Sequence, residues 1–479
     1  MVGRFLLYLA VFTASYAVKA ELYVFPAPSP EATSHTLNTE VTLYEEQTLS
    51  DIERKNIDLL IKDTYQTLDK SNATSALSEI NQRYEGTLPA WLYNAIKRCE
   101  DWFNRTEGNI SCRNGALYDY WAEYVQGKHD LSRREVRRLA RVARIADVNF
   151  NDDNSVAFAS PIQWDLSEFT ASLAVGRIAH YLTSLNIRSY HISAQGLETH
   201  ASNQGFSWQG TVAQEAVTQT GRATVAVSNP STIAFIRPWQ RPVLSTSKLA
   251  SLEKGVLSHS DGWPSAKFQA ISVADNAFEA MLLAHFSATK TAQQAMELVN
   301  ANPSLALKLV DENGRVFTSN TYTARTSGKN KAEKNGHAIS IDITLPLFDI
   351  ADYRGPYVSV WISDEKNRLV KSLALRGTSE RWLGELRTWW RRVGRKNEGL
   401  VDGFAGATKK NAPLHIEWDG LDDFGQSANS SSLILHIEVA REHGGRSYEK
   451  IPFTFDSLTS PITVTGTDEI ASITFSLMN

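Results

Sequence analysis

Between Thr323 and Gly336 the chain reads TARTSGKNKAEKNG, fourteen residues without one large apolar side chain. Such a stretch has nothing to bury, so few contacts are expected to cross it. The hydrophobic rhythm also changes there. Upstream, apolar residues recur at helical spacing between scattered strands; downstream they alternate in short runs. The expected organisation is an α+β domain over 21–325, a linker at 326–336 and an all-β, immunoglobulin-like sandwich over 337–479. A length of 479 residues agrees with two or three domains.

The first residues read as an address. Arg4 precedes an apolar run from Phe5 to Val18, and Val18-Lys19-Ala20 is a small-x-small pattern. That is the layout of a secretory signal peptide over 1–20, and the run is shorter than the ~20 residues a membrane span takes. The mature chain is therefore expected to be exported, without stable membrane insertion. A net charge of −4 supplies no general attraction for nucleic acid. Two cysteines exclude a Cys-rich metal site. In an oxidising compartment, Cys99 and Cys112 are expected to form a disulfide.

Upstream, residues 21–50 read as irregular around Phe25-Pro26-Ala27-Pro28-Ser29-Pro30. Helices are expected over 51–71, from Trp91 to Phe103, from Ser132, over Asp165–Leu185, over Asn276–Phe286 and over Ala292–Asn300. Ser132 with Glu135 three residues on is a capping box, with Val136, Leu139, Val142 and Ile145 on the inward face. Strands are expected over Arg188–Ser193, Ala223–Ser228, Thr232–Ile236 and Lys267–Val273, and Glu312-Asn313-Gly314 reads as a hairpin turn. Downstream, alternating runs from His337 to Leu477 are interrupted by one helix around Glu380–Arg392.

Several upstream stretches, in order, resemble the ApbE-type FAD:protein FMN transferases. Ser75-Ala-Leu-Ser-Glu-Ile-Asn81 resembles an early S-x-L-S-x-L-N pattern. Gly108 to Trp121 stands in the place of G-A-F-D-P-T-V-G-P-L-V-D-L-W, keeping Gly115, Leu117, Asp119 and Trp121. Asp165 to Gly176 takes the place of D-L-G-G-I-A-K-G-Y-A-V-D, and Gly255 to Pro264 that of H-I-I-D-P-x-T-G-x-P, keeping Gly262 and Pro264. The resemblance implies an exported α+β enzyme that uses FAD and Mg²⁺ to attach FMN to Ser or Thr of a target protein.

The chemistry-bearing positions depart from that pattern. The motif lysine is Ala171, Ser167-Glu168 replaces Gly-Gly, and the metal-binding Asp and Thr of A-D-A-L-A-T become Glu279 and Leu283. Glu279, with Asp275 and Asp261, is the candidate metal set, since Mg²⁺ takes hard oxygen ligands. No catalytic residue is assigned. The expectation is a periplasmic pseudoenzyme, a binding or maturation factor for envelope redox proteins. The alternatives are an active flavin transferase and a structural or adhesion-type assembly module.

The downstream half resembles a bacterial periplasmic domain of unknown function. The residues that carry this are Tyr357-Val-Ser-Val-Trp361, Arg381-Trp382-Leu383, Trp389-Trp390, Gly406-Ala407-Thr408, Trp418-Asp-Gly-Leu-Asp-Asp-Phe-Gly425 and Arg441-Glu-His-Gly444. The Trp-Asp-Gly-x-Asp-Asp-x-Gly stretch is turn chemistry. Residues 376–410 carry nine Lys/Arg against four Asp/Glu, with three tryptophans among them. Arg387, Trp390 and Arg391 are the candidate surface for an envelope protein partner.

Overall fold

The computed structural model describes residues 4–7, 20–26, 38–145, 147–159, 162–194, 197–209, 216–228, 256–265, 268–311, 314–319, 321–322, 338–346, 348, 355–377, 383–396, 413–424, 426–428, 432–441 and 444–478. Most of the expected leader, the expected strand Thr232–Ile236, the linker 326–336, Trp382 and Gly406–Thr408 lie outside the described residues. Contacts divide the chain into two units. One comprises Met1–Thr289, Ser304–Leu307 and Ala324–Gly328; the other comprises Lys290–Pro303, Lys308–Thr323 and Lys329–Asn479.

The first unit is built on an antiparallel sheet. Its strands are β1 (Arg4–Leu7), β2 (Ala20–Phe25), β3 (Thr39–Leu43), β4 (Tyr190–Ala194), β5 (Leu197–Gln209), β6 (Ala216–Ser228) and β7 (Phe268–Ala274), in that spatial order. The stretch expected to be irregular thus supplies β2 and β3. Tyr23, Phe25, Val41 and Leu43 point to the core on alternate positions, a period of two that the Pro-rich segment between the strands obscures.

The connection from β3 to β4 carries the helices that matter for the site. These are α1 (Asp51–Leu68), α2 (Ala76–Arg83), α3 (Ala90–Arg105), α4 (Gly115–Val125), α5 (Arg133–Ile145) and α6 (Thr170–Ser184). Ser50 caps α1 in a full capping box with Glu53. Ser132 Oγ accepts the Glu135 N–H at the start of α5. Val136 and Ala140 of α5 are buried. Ile145, expected on the same face, is 71% exposed because it is the last residue of the helix. A short 3-10 turn, Ser167–Phe169, leads into α6. After β7 comes α7 (Ala277–Thr289), buried along almost its whole length.

In the second unit, α8 (Ala292–Asn300) carries a capping box from Thr291 to Gln294. Strand β8 (Ala306–Asp311), whose first two residues are assigned to the first unit, pairs with β9 (Val316–Thr318). Gly314 takes φ 80° at their turn, where a side chain would be strained.

Two four-stranded antiparallel sheets then enclose one apolar core. One has the order β13 (Leu414–Trp418), β10 (Ile339–Thr344), β17 (Ser472–Leu477), β16 (Ile462–Thr465). The other runs β12 (Leu369–Arg376), β11 (Tyr357–Asp364), β14 (Leu433–Ala440), β15 (Arg446–Phe453). Ile339, Ile341 and Ile343 face Val358, Val360, Ile362, Leu433, Leu435 and Ile437 across that core. Strands β11 and β14 are buried on both faces. On the outward face of β14, Glu438 accepts the N–H groups of Thr388 and Trp389 and pairs with Arg446, anchoring helix α9 (Arg387–Arg392).

The Asp-rich stretch is a turn. Asp419 accepts the Leu421 N–H, Asp422 accepts those of Phe424 and Gln426, and Gly420 takes φ 77°.

Cys99 of α3 and Cys112 are joined by a disulfide with their Cα atoms 6.1 Å apart, and both are fully buried. The bridge ties α3 to the loop that opens α4. Replacing both cysteines with alanine is expected to lower unfolding stability by about 3 kcal/mol in urea titrations. An unchanged midpoint would show that the bridge does not constrain this loop.

Candidate functional site

The motif-bearing segments of the first unit converge through a small set of backbone contacts. Asn81, at the end of the α2 motif, donates its amide to the Trp164 carbonyl at 2.9 Å and accepts the Trp164 N–H at 2.7 Å. This places the next residue, Asp165. Trp121 Nε1 donates to the Gly262 carbonyl at 2.8 Å. Gly262 itself has φ 81°, and a Cβ there would lie 2.9 Å from Val136. Gly115 is pressed against the Gln163 backbone, where a Cβ would meet the carbonyl oxygen at 2.8 Å. Of the retained residues, Asn81, Gly115, Trp121 and Gly262 hold the frame.

Two polar clusters occupy the centre of that frame. In the first, Lys70 Nζ lies 2.7 Å from Asp119 and 2.7 Å from Asp165. The Asp165 side chain is only 2% exposed. Burial pushes its carboxyl up, but Lys70 and the Ser167 N–H bring it below the usual carboxylate range.

In the second cluster, Tyr118 Oη donates to Glu168 Oε2 at 2.6 Å. His259 Nε2 lies 2.8 Å from the same hydroxyl, and His259 Nδ1 accepts the Ser111 N–H at 3.0 Å. That backbone donor places the ring proton of a neutral His259 on Nε2. His285 Nδ1 stands 3.3 Å from Glu168 Oε2. Burial raises the Glu168 carboxyl, yet the adjacent His285 and the Tyr118 hydroxyl hold it below its ordinary value. Burial and Glu168 together push the Tyr118 hydroxyl well above the usual phenol range. This cluster can keep a carboxylate ionised in the interior. Glu168 is thus an interior group bonded to protein neighbours at one of the positions where the resemblance puts glycine.

The three carboxylates expected to bind metal are not assembled. Glu279 pairs with Arg98 at 2.8 Å, has Arg105 at 3.9 Å, and accepts a hydrogen bond from Asn276. Asp261 is exposed and accepts the Trp263 N–H within its own turn. Asp275 is exposed between β7 and α7. Among the described residues, no group of three or more His, Cys, Asp or Glu side chains could hold a metal ion. The physical reason is charge: a guanidinium already neutralises Glu279, the candidate that takes the place of the motif's metal-binding Asp. Among the described residues, these three carboxylates do not fit Mg²⁺.

In the second unit, Arg387 and Arg391 are exposed on α9 while Trp390 is half-buried. Sequence reasoning missed Lys70, Tyr118 and His285. Lys70 and His285 lie at no helical or motif spacing that points to the site. Tyr118 adjoins the retained Leu117 and Asp119, which was the available signal.

The ApbE family model matches residues 36–309. A second family, described as a predicted periplasmic protein (DUF2271), matches residues 338–472. Among solved structures, Pseudomonas stutzeri flavinyl transferase ApbE in its apo form is similar at 14% identity and TM-score 0.50, over 66% of this chain and 99% of that one. Flavin transferase ApbE from Vibrio cholerae is similar at 14% identity and TM-score 0.47, over 64% of this chain and 99% of that one. The ApbE protein from Thermotoga maritima is similar at 15% identity and TM-score 0.49, over 60% of this chain and 96% of that one. At 14% identity the Pseudomonas likeness is one of fold. A search of curated proteins finds no match. No helix among the described residues is long and apolar enough to cross a membrane.

The Lys70–Asp165 pair yields a test with a defined sign. The folded Asp165 value lies below the unfolded one, so its contribution is complete above the ordinary carboxylate range. It is lost as pH falls through the lowered folded value. Lys70→Met is expected to cost about 3 kcal/mol at neutral pH, the low end for breaking a buried pair. The deficit should shrink on acidification, because the unpaired Asp165 then takes up a proton. A deficit independent of pH in chemical denaturation would contradict the pairing.

Proposed function

Because the chain belongs to the ApbE family and carries a DUF2271 domain, we propose that it is an exported envelope protein whose flavin-transferase fold serves binding rather than catalysis. Its setting is the maturation of envelope redox proteins. The observation that carries this reading is the closure of the second cluster: Glu168 is buried and engaged by Tyr118 where a glycine pair would let phosphates approach.

Phosphoryl transfer depends on neutralising charge at the transferring group. Here an interior carboxylate stands at the phosphate approach, and the Glu279 carboxylate is committed to Arg98. Loss of one preorganised electrostatic group typically costs about 3–4 kcal/mol of barrier, or roughly 10²–10³ in rate. Several such losses together leave little transferase activity. FAD and Mg²⁺ remain the ligands that the family relationship points to, so they are the ligands to test.

The purified mature chain is expected to be colourless and to show no Mg²⁺-dependent FAD binding in a fluorescence titration. Sub-micromolar FAD affinity that requires Mg²⁺ and vanishes in Glu279→Ala would establish the active transferase instead.

The partner surface is assigned to α9 in the second unit. Its buried anchor to Glu438 fixes the helix, while Arg387, 3.8 Å from Glu385, and Arg391 present exposed guanidinium groups to an acidic protein. Arg387→Glu with Arg391→Glu is expected to leave the unfolding midpoint unchanged and to weaken crosslinking to the envelope partner in cells. An unchanged crosslinking yield would remove α9 from the contact.

A further inference from the structure

Helix α5 carries six arginines against one glutamate, in a chain whose net charge is −4. At 3.6 residues per turn, Arg133, Arg134, Arg137, Arg138, Arg141 and Arg144 fall within an arc of about 140°. All six are exposed, while Val136, Ala140 and Ala143 are buried. Arg138 pairs with Glu135, and Arg144 donates to the Glu107 carbonyl. Arg133, Arg134, Arg137 and Arg141 have neither an ion-pair nor a hydrogen-bond partner among the described residues.

The needs of the helix do not account for this pattern. Arg133 and Arg134 stand in the first turn, at the positive end of the helix dipole. Arg133 and Arg137, Arg134 and Arg138, and Arg137 and Arg141 are like charges four residues apart, a spacing at which they repel. Glutamine at these exposed positions would form helix about as well without the repulsion. An anionic surface laid over the face turns that repulsion into attraction.

Two aliphatic side chains complete the face. Ile145, four residues beyond Arg141 and so on its side of the helix, is 71% exposed, and Leu131 just before the helix is 41% exposed. Cations flanked by exposed aliphatic groups match a layer of phosphates over acyl chains. A carboxylate-rich protein surface would use the arginines and leave Ile145 and Leu131 in water.

We propose that the outward face of α5 docks the protein on an anionic phospholipid surface. The guanidinium forks of Arg133, Arg134, Arg137 and Arg141 take the headgroup phosphates, and Ile145 and Leu131 reach toward the acyl boundary. The contact is peripheral and salt-sensitive, since exposed charges carry it. The inference rests neither on the flavin reading nor on the α9 surface.

The test is sedimentation of the full chain with vesicles of phosphatidylcholine, alone or with phosphatidylglycerol in equal parts. At about 0.15 M NaCl, affinity for the anionic vesicles is expected to exceed that for the neutral ones by about a hundredfold or more. The excess should vanish near 1 M, where the screening length is about 3 Å. Arg137→Gln with Arg141→Gln should cut the excess by about tenfold or more and leave the unfolding midpoint unchanged or higher. The charge-matched Arg387→Gln with Arg391→Gln on α9 should keep it. Equal affinity for the two vesicle types overturns the proposal. So does an excess that the α5 substitutions leave intact, or that the α9 pair removes to the same degree. Retention on poly-glutamate resin without an excess on anionic vesicles would assign the face to an acidic protein and likewise overturn it.

Discussion

A carboxylate inside a protein must be paired or give up its charge, and the first unit is arranged around that requirement. Glu100 takes the Arg113 guanidinium, Asp165 takes Lys70, and Glu168 takes the Tyr118 hydroxyl with His285 beside it. Each pair ties a different segment to the same place. Arg113 belongs to the loop opening α4, Lys70 follows α1, and His285 comes from α7. With the Cys99–Cys112 bridge, these contacts fix the loop 110–114 and the turn before α6. The same principle recurs in the second unit, where buried Glu438 holds α9 to its sheet.

A frame held in this way keeps its shape while charged positions depart from the family pattern. Asn81, Gly115, Trp121 and Gly262 act on backbone position, and each has a steric or hydrogen-bonding role visible in the fold. Two of the positions that differ from the family pattern act on charge. Glu168 and Glu279 bring carboxylates, and each carboxylate is answered by a neighbour within the protein. Glu279, paired with Arg98, has little charge left to offer a metal ion, whereas Glu168 is engaged at Oε2 and keeps a buried Oε1 without a partner.

Much of this architecture could be read from local pattern. Strands β11 and β14 lie where apolar runs were expected, although both are buried on both faces rather than alternating. The helix α5 started by Ser132 and the helix α8 over Ala292–Asn300 follow from spacing and cap chemistry. The Gly314 turn did as well. Strands β2 and β3 were hidden because each is short and a proline-rich segment separates them. The candidate site was less legible. Asp261, Asp275 and Glu279 are close in sequence, but the turn before Trp263 and the Arg98 partner from α3 are tertiary facts. Arg98 is 181 positions from Glu279, and no local rule links them. The Lys70–Asp165 and Tyr118–Glu168 contacts are likewise long-range.

The central claim is that the flavin-transferase frame is closed by its own charges. The most direct measurement is a high-resolution crystal structure of the protein grown with excess FAD and MgCl₂. The account predicts Lys70 still bridging Asp119 and Asp165, Tyr118 still bonded to Glu168, and no flavin or metal density at either cluster. Ordered FAD pyrophosphate beside a displaced Glu168, or a metal ion coordinated by Glu279 in place of Arg98, would contradict it.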